Sequence, residues 1–395
     1  MKIKLGVFFG GKSVEHEVSV ITALQAIENI DREIYEVIPV YMTKNNEMYV
    51  GEEIGNVENY KDIKNLLEKS TKITITSKNG KGLIIKEKAG ILSKKEYDYF
   101  DIAFPIVHGT EVEGGALFGF FKTLNIPCTG CDILSSAMSM DKYVTKCMLK
   151  ENNVNILECL CFSEFEENLY EKIEEKFNYP VIVKPVDSGS SVGIAIAKNR
   201  NELEDNVEDA FRYSKRILIE RAVIKMREIN CSVLGYDQEI FTSECEEPIK
   251  TEEILSYKDK YVSGGKKIGG SKGMNVSGLK LPADISLDMK NTIQEMAKKT
   301  FEVMRCSGVI RIDFIIDEED GNVYVNELNT IPGCLSFHLW RASGMQYKDM
   351  LNKVLEYALQ RKRQEQNLNY SFDSNILSNV SFGGTKGSKG NKFAK

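Results

Sequence analysis

GVIRIDFIIDEEDGNVYVNELNTIPG, Gly308 to Gly333, concentrates charge where a buried strand should carry almost none. Val309 to Ile316 sets Arg311 and Asp313 among β-branched and aromatic residues, the period-2 pattern of a strand. Asp317 to Asn322 contains a glycine and reads as a turn, and Val323 to Leu328 returns as the partner strand. Glu327 and Asn329 are two apart and so project from one face, which Asp313 can reach across the hairpin. Two carboxylates and an amide oxygen aimed at one point suit Mg²⁺, with Mn²⁺ as an alternative. Such a hard cation takes oxygen ligands and completes its shell with water and substrate phosphate. Arg311 on the same face would add a fixed positive charge where negative charge develops. The stretch therefore reads as a hairpin carrying a metal and nucleotide site.

The remaining sequence sets limits on that site. A chain of 395 residues exceeds what one hydrophobic core serves, so two or three domains are expected. With 42% hydrophobic residues, 28% charged residues and a net charge of -6, no basic excess draws nucleic acid or an anionic membrane. A small anionic substrate needs local positive charge. The opening MKIKLGVFFGG has too short an apolar run for a signal peptide and reads as a first buried strand. Nine cysteines without a paired framework fit a reducing cytoplasm. Cys128-Thr129-Gly130-Cys131 stands without a second pair or a histidine cluster, which argues against zinc.

In chain order, Ile3 to Phe9 runs into Gly10-Gly11-Lys12-Ser13, with helical spacing from Val18 to Ile27, the start of a βα unit. Glu15, His16 and Glu17 stand at that helix mouth. Tyr35 to Tyr41 is a second strand, and 46–94 reads as a short helix and a hairpin excursion. Asp101 to Val107 is a third strand ending in His108-Gly109, with Glu113-Gly114-Gly115 opening a helix. Strand ends that meet helix starts are where parallel sheets bind ligands. SAMSMDKYVTKCMLKENNV from Ser136 reads as one helix at the edge of a second domain, carrying Lys142 and Lys146. Tyr179 to Lys184 is a strand, and Asp187 to Gly193, DSGSSVG, is a small-residue loop whose backbone N–H groups can approach phosphate. No GK[ST] follows, so it is not a P-loop. Ile217 to Glu220 is a strand whose end offers hydrogen bonds to a base, and Arg227-Glu228 precedes the strand Ile229 to Leu234. Thr251 to Pro282, with Tyr257, Lys260 and Tyr261, is long enough to be a lid. A last helix covers Leu351 to Gln366, and the tail ending GGTKGSKGNKFAK lacks apolar periodicity and is expected to be disordered.

These segments, in this order, resemble the D-alanine:D-alanine ligase family of the ATP-grasp superfamily. The carriers are GGKSVEHEVS, VHGTEVEGG, SMDKYVTK, VIVKPVDSGSSVG, the Ile219-Glu220 strand end, YKDKY, and GVIRIDF with NELNTIPG, spanning about Lys4 to Ala358. The resemblance implies an α/β chain, α+β in its C-terminal half, with the ATP-grasp fold. An N-terminal parallel-sheet domain (1–130) precedes a central domain (131–222) and a C-terminal domain (223–366, lid 251–282) that clasp ATP, with an extension over 367–395. It implies ATP and Mg²⁺, D-amino acid substrates, an acyl-phosphate mechanism, a cytoplasmic homodimer and a place in peptidoglycan precursor synthesis.

By the same resemblance, Lys146 and Lys184 hold phosphates, Glu220 takes the adenine amine, Glu228 the ribose, and Arg221 and Val223 border the base, with Lys260 also on the nucleotide. Glu15 holds the first ammonium beside Val18 and His108, and forms a closing group with Ser190 and Tyr261. Gly333, Ser336 and His338 face the substrates, Arg311 stabilises charge, and Asp313, Glu327 and Asn329 bind the metal. Two departures stand out. Phe118 replaces a usual glutamine, and the family's Ser-His-Ser run after Pro-Gly is Ser336-Phe337-His338 here. His338 thus occupies the place of the serine that binds the acceptor carboxylate, and a histidine's charge depends on pH. A ligase for D-serine or another acceptor, or a regulator that binds nucleotide without catalysis, are the alternative readings.

Overall fold

A computed structural model describes residues 2–88, 90, 94–163, 166–189, 192–249, 278–370 and 375. Three sheets organise them. The first joins β1 (Ile3–Gly10), β2 (Tyr35–Met42), β3 (Met48–Val50), β4 (Thr71–Lys78), β5 (Lys81–Lys86), β6 (Glu96–Phe100) and β7 (Ile102–Val107) in the order β6-β5-β4-β3-β2-β1-β7. Its β2-β1-β7 part is parallel, and β7 is buried throughout, as strands covered on both faces must be. The excursion over 46–94 extends this sheet with antiparallel strands, and β6, not foreseen in the sequence, closes its edge.

The second sheet holds β8 (Cys159–Phe162), β9 (Val181–Pro185), β10 (Ala195–Ala197) and β11 (Ile217–Arg221) in the antiparallel order β10-β9-β11-β8. The small-residue loop joins β9 to β10, two antiparallel neighbours, as the sequence suggested. The third holds β12 (Met226–Tyr236), β13 (Glu239–Pro248), β14 (Leu279–Lys280), β15 (Gly308–Asp317) and β16 (Val323–Asn329) in the order β14-β13-β12-β15-β16. Arg227 and Glu228 lie inside β12 and do not precede it.

Two helices occupy the stretch expected to form one: Ile133–Met140 and Lys142–Glu151. Asp141 breaks the run because its backbone is extended and its carboxylate accepts from the Val144 N–H, a helix N-cap. The last helix starts earlier than expected, at Tyr347. Its Met350, Leu351, Val354, Leu355, Tyr357 and Ala358 join the buried cluster of Leu5, Val7 and Phe9, so the C-terminal helix packs under the first sheet. A separate core unites β12 and β15 with the helix Leu287–Val303, and a third fills the second sheet. No described helix is long and apolar enough to cross a membrane.

Candidate functional site

The hairpin of β15 and β16 has the register that its sequence suggested. Arg311 stands opposite Asn329 and Asp313 opposite Glu327, with an irregularity just after Asp313. On the other side, β12 sets Asn230 opposite Asp313 and Ser232 opposite Arg311, and β13 sets Glu246 opposite Asn230. Residues directly opposed across a ladder share a face. Glu246, Asn230, Asp313 and Glu327 therefore form one polar row across four strands, with Ser232, Arg311 and Asn329 in the next.

Asp313 is 3% exposed and chelated by its neighbour: Arg311 Nε donates to Oδ1 at 2.6 Å and Nη2 to Oδ2 at 2.8 Å. Asn329 Nδ2 donates to Oδ2 at 3.1 Å. Burial works against the Arg311 charge, but the carboxylates of Asp313, Glu246 and Glu327 more than offset it and hold the guanidinium firmly protonated. The donor set of Asp313, Glu327 and Asn329 fits Mg²⁺, which is satisfied with one or two carboxylates when phosphate supplies other ligands. No group of three or more His, Cys, Asp or Glu suited to a metal occurs among the described residues, so a closed protein cage is absent there.

A second cluster lies where β9, β11 and the Lys142–Glu151 helix meet. Glu220, fully buried, pairs with Lys146 Nζ at 2.5 Å and accepts from Lys184 Nζ at 2.7 Å. Burial alone would raise the Glu220 carboxyl, and the two ammonium groups outweigh it and hold it below the ordinary carboxylate range. Lys184 also donates to Asn326 Oδ1 at 3.1 Å, which ties the second sheet to β16. Arg221 pairs with Asp317 at 2.7 Å beside the Tyr324 ring, Val223 follows the end of β11, and Glu228 faces Ile315 across the ladder. Lys142 Nζ donates to the Ser188 carbonyl at 2.6 Å and so pins the small-residue loop to the helix that carries Lys146.

Glu15 ends the Gly-rich turn after β1. Its Oε2 lies 3.8 Å from where a side chain would begin at Gly109 and equally close to Gly189, so it stands between the β7 end and the small-residue loop. His108 is buried with Nε2 3.3 Å from Thr22 Oγ1, which also accepts from the Cys334 N–H at 3.0 Å. Burial pushes His108 down, Glu15 opposes that shift and Arg311 adds to it. Val18 is half-buried on the same helix, two residues before Val20 of the core. Glu113 ends a one-turn helix, Thr110–Glu113, separate from the helix Ala116–Thr123 that follows. Its Oε2 accepts from the Gly109 N–H at 3.1 Å, and its Oε1 accepts from Thr330 Oγ1 and the Ile331 N–H, both at 3.0 Å. Burial, with Glu15 nearby, pushes it up to about 7 despite those donors.

After Pro332-Gly333 the chain does something its sequence did not announce. Cys334, Leu335 and Ser336, none of them glycine, have φ of 50°, 49° and 52°. Each such residue costs on the order of 1 kcal/mol or more, and runs of them concentrate at functional sites. Gly333 faces open space, and the Ser336 hydroxyl is buried with no partner among the described residues. The helix Phe337–Ala342 follows. His338 Nε2 meets Glu246 Oε2 at 2.6 Å, while Trp340 Nε1 donates to Ser232 Oγ at 2.9 Å, so both rings dock on the third sheet.

Ser190, Lys260 and Tyr261, with Tyr257 and most of the expected lid, lie outside the described residues. The residues brought together were otherwise anticipated, except Asn230, Ser232, Glu246 and Asn326. Asn326 had a signal, since it adjoins Glu327 in VNELN; Glu246 had none, because β13 was not recognised.

Family models for the N-terminus and the C-terminus of D-ala D-ala ligase match residues 4–131 and 148–356. The chain is 38% identical over 375 residues to the D-alanine--D-alanine ligase of Thermosipho melanesiensis, covering 95% of this chain and 98% of that one. It is 33% identical to the one from Geobacillus kaustophilus over 94% of this chain and 99% of that one. Among solved structures, it resembles the VanG D-Ala:D-Ser ligase of Enterococcus faecalis with a TM-score of 0.75 at 29% identity, covering 91% of this chain and all of that one. The D-alanine-D-alanine ligase of Coxiella burnetii is similar too, with a TM-score of 0.75 at 26% identity over 92% and 96% of the two chains.

Proposed function

Because the chain belongs to the D-alanine--D-alanine ligase family, whose ATP-dependent reaction makes a D-alanyl dipeptide for peptidoglycan precursors, we propose that its polar row, lysine pair and strained loop divide that reaction among them. The γ-phosphoryl group of ATP passes to the carboxylate of the first D-amino acid. The amine of the second attacks the acyl phosphate, giving the amide, ADP and phosphate. This chemistry needs positioned positive charge rather than a covalent catalyst.

Lys146 and Lys184 hold the nucleotide phosphates; Glu220, which keeps the two cations together before ATP arrives, also takes the adenine amine, Glu228 the ribose, and Arg221 and Val223 border the base. Glu15 takes the first ammonium, beside Val18 and His108. Arg311 stabilises the charge that spreads over the transferring group. Asp313, Glu327 and Asn329 would hold Mg²⁺, which when bound neutralises phosphate charge and orients the transfer. Gly333 and Ser336 face the acyl group and His338 the acceptor; the closing group is assigned to Glu15 with Ser190 and Tyr261, and Lys260 to the nucleotide. Excluding water matters, because it competes with the amine for the acyl phosphate. The reading divides the chain at about 130 and 222, with one sheet in each part as its support, and takes the enzyme as a cytoplasmic homodimer.

The observation that carries this reading is the four-strand row ending in Glu327, set beside a buried Lys-Glu-Lys cluster. Its test is phosphate release and dipeptide formation with ATP, Mg²⁺ and D-alanine, with D-serine in competition. D-alanine should win as the second substrate. Preference for D-serine would reassign the acceptor, and no release with any D-amino acid pair would return the chain to the status of a nucleotide-binding regulator. We also expect His338→Ser to raise the acceptor's KM and alter the ranking of D-alanine, D-serine and bulkier acceptors, with the KM of ATP and of the first amino acid little changed. Identical acceptor kinetics in variant and parent would remove His338 from the acceptor pocket.

A further inference from the structure

Glu246 has no part in the scheme above, yet it is among the most constrained carboxylates of the molecule. It is 3% exposed, and its Oε1 accepts from Asn230 Nδ2 at 3.0 Å. Burial alone would raise its pKa, but the bond and charge of His338, the Arg311 charge and the Asn230 amide hold it below the ordinary carboxylate range. An ionised carboxylate can only accept, so the short contact to His338 requires a hydrogen on Nε2. The ring is thereby held from the sheet side by a side chain 4% exposed, while its own side chain remains 27% exposed. Nδ1 is then the nitrogen left for a ligand. Two residues before His338, Ser336 has a buried hydroxyl without a partner among the described residues, at the end of the left-handed run.

We propose that Glu246 is a positioning residue for the acceptor: it fixes His338 with Nε2 on the sheet and balances positive charge on the ring, so that Nδ1–H holds a free carboxylate. The proposal rests on the reading that places the acceptor beside His338. Hydrogen bonds between charged groups are shorter and stronger than neutral ones. An acceptor that carries an amide in place of the carboxylate gains nothing from that charge. The site therefore selects amino acids with a free carboxylate over their amides, through a residue that never touches the substrate.

The test compares Glu246→Gln with the parent, using D-alanine as acceptor and D-alaninamide as a competing ligand. In the variant the acceptor KM of D-alanine should rise about tenfold or more. The inhibition constant of D-alaninamide should stay within about twofold, and Glu246→Asp, which keeps the charge, should recover part of the loss. A parent that ligates, with a variant whose discrimination between acid and amide is unchanged, leaves Glu246 structural and overturns the proposal alone. A parent that forms no dipeptide overturns the reading beneath it as well. Should Glu246→Gln fail to fold, the parent decides. The chain has 3 histidines, so ¹⁵N-histidine spectra are simple to assign with His338→Ser. The expected result is a protonated Nε2 on His338 and an Nδ1 signal that moves when D-alanine is added with ATP. An unprotonated Nε2, or an Nδ1 indifferent to D-alanine, rejects the proposal.

Discussion

Glu220→Gln is expected to destabilise the protein by about 3–5 kcal/mol, the usual consequence of removing one partner from a buried ion pair. Glu220 is fully buried and serves two lysines at once, and the amide keeps its size but not its charge. Two ammonium groups then face each other across a site with little water. They must either lose protons or open the structure to solvent. The sign of the ATP effect follows from the same balance. ATP brings negative phosphates to the lysines, so it supplies in the variant what the carboxylate supplies in the parent. Saturating ATP should therefore raise the melting temperature of Glu220→Gln by more than it raises that of the parent. Thermal melts with and without nucleotide measure this. A smaller rise in the variant would show that a direct contact of the carboxylate with the adenine amine outweighs the charge that the phosphates bring to the lysines.

How far the sequence could be read depended on the distance between interacting residues. The β15–β16 hairpin was legible because alternation, turn and return strand lie within 26 residues, and its register follows from the turn. The small-residue loop was legible for the same local reason. Asp141 shows the limit: helical periodicity runs through it, and only its N-cap bond to Val144 reveals two helices. The Glu246–Asn230 pairing depends on β13, whose central residues TSECEE look polar on both faces, so no apolar alternation marked it. The left-handed run at Cys334, Leu335 and Ser336 was hidden because glycine is the usual sign of that conformation. The family resemblance named the residues around it but gave no backbone geometry.

Glu327→Gln should leave folding and ATP affinity nearly intact while reducing kcat by about a hundredfold or more. Stability should hold because Arg311 keeps its two bonds to Asp313 and the charge of Glu246 nearby. Affinity should hold because the lysine cluster, not the hairpin, carries the ground-state charge that the phosphates meet. Turnover is different. Asp313 already receives two guanidinium bonds and one amide bond, so its lone pairs are shared before any cation arrives. Glu327, directly across the ladder, is the second carboxylate of that face. Removing its charge weakens cation binding most when the phosphoryl group moves and charge is greatest, an effect on the transition state rather than on the bound substrate. The variant should also need more Mg²⁺ for half-maximal rate. Steady-state kinetics over a Mg²⁺ series, with ATP binding measured separately, decides the matter. A kcat equal to the parent's at saturating Mg²⁺ would show that Glu327 is not a ligand, and that Asp313 and Asn329 hold the cation with groups outside this hairpin.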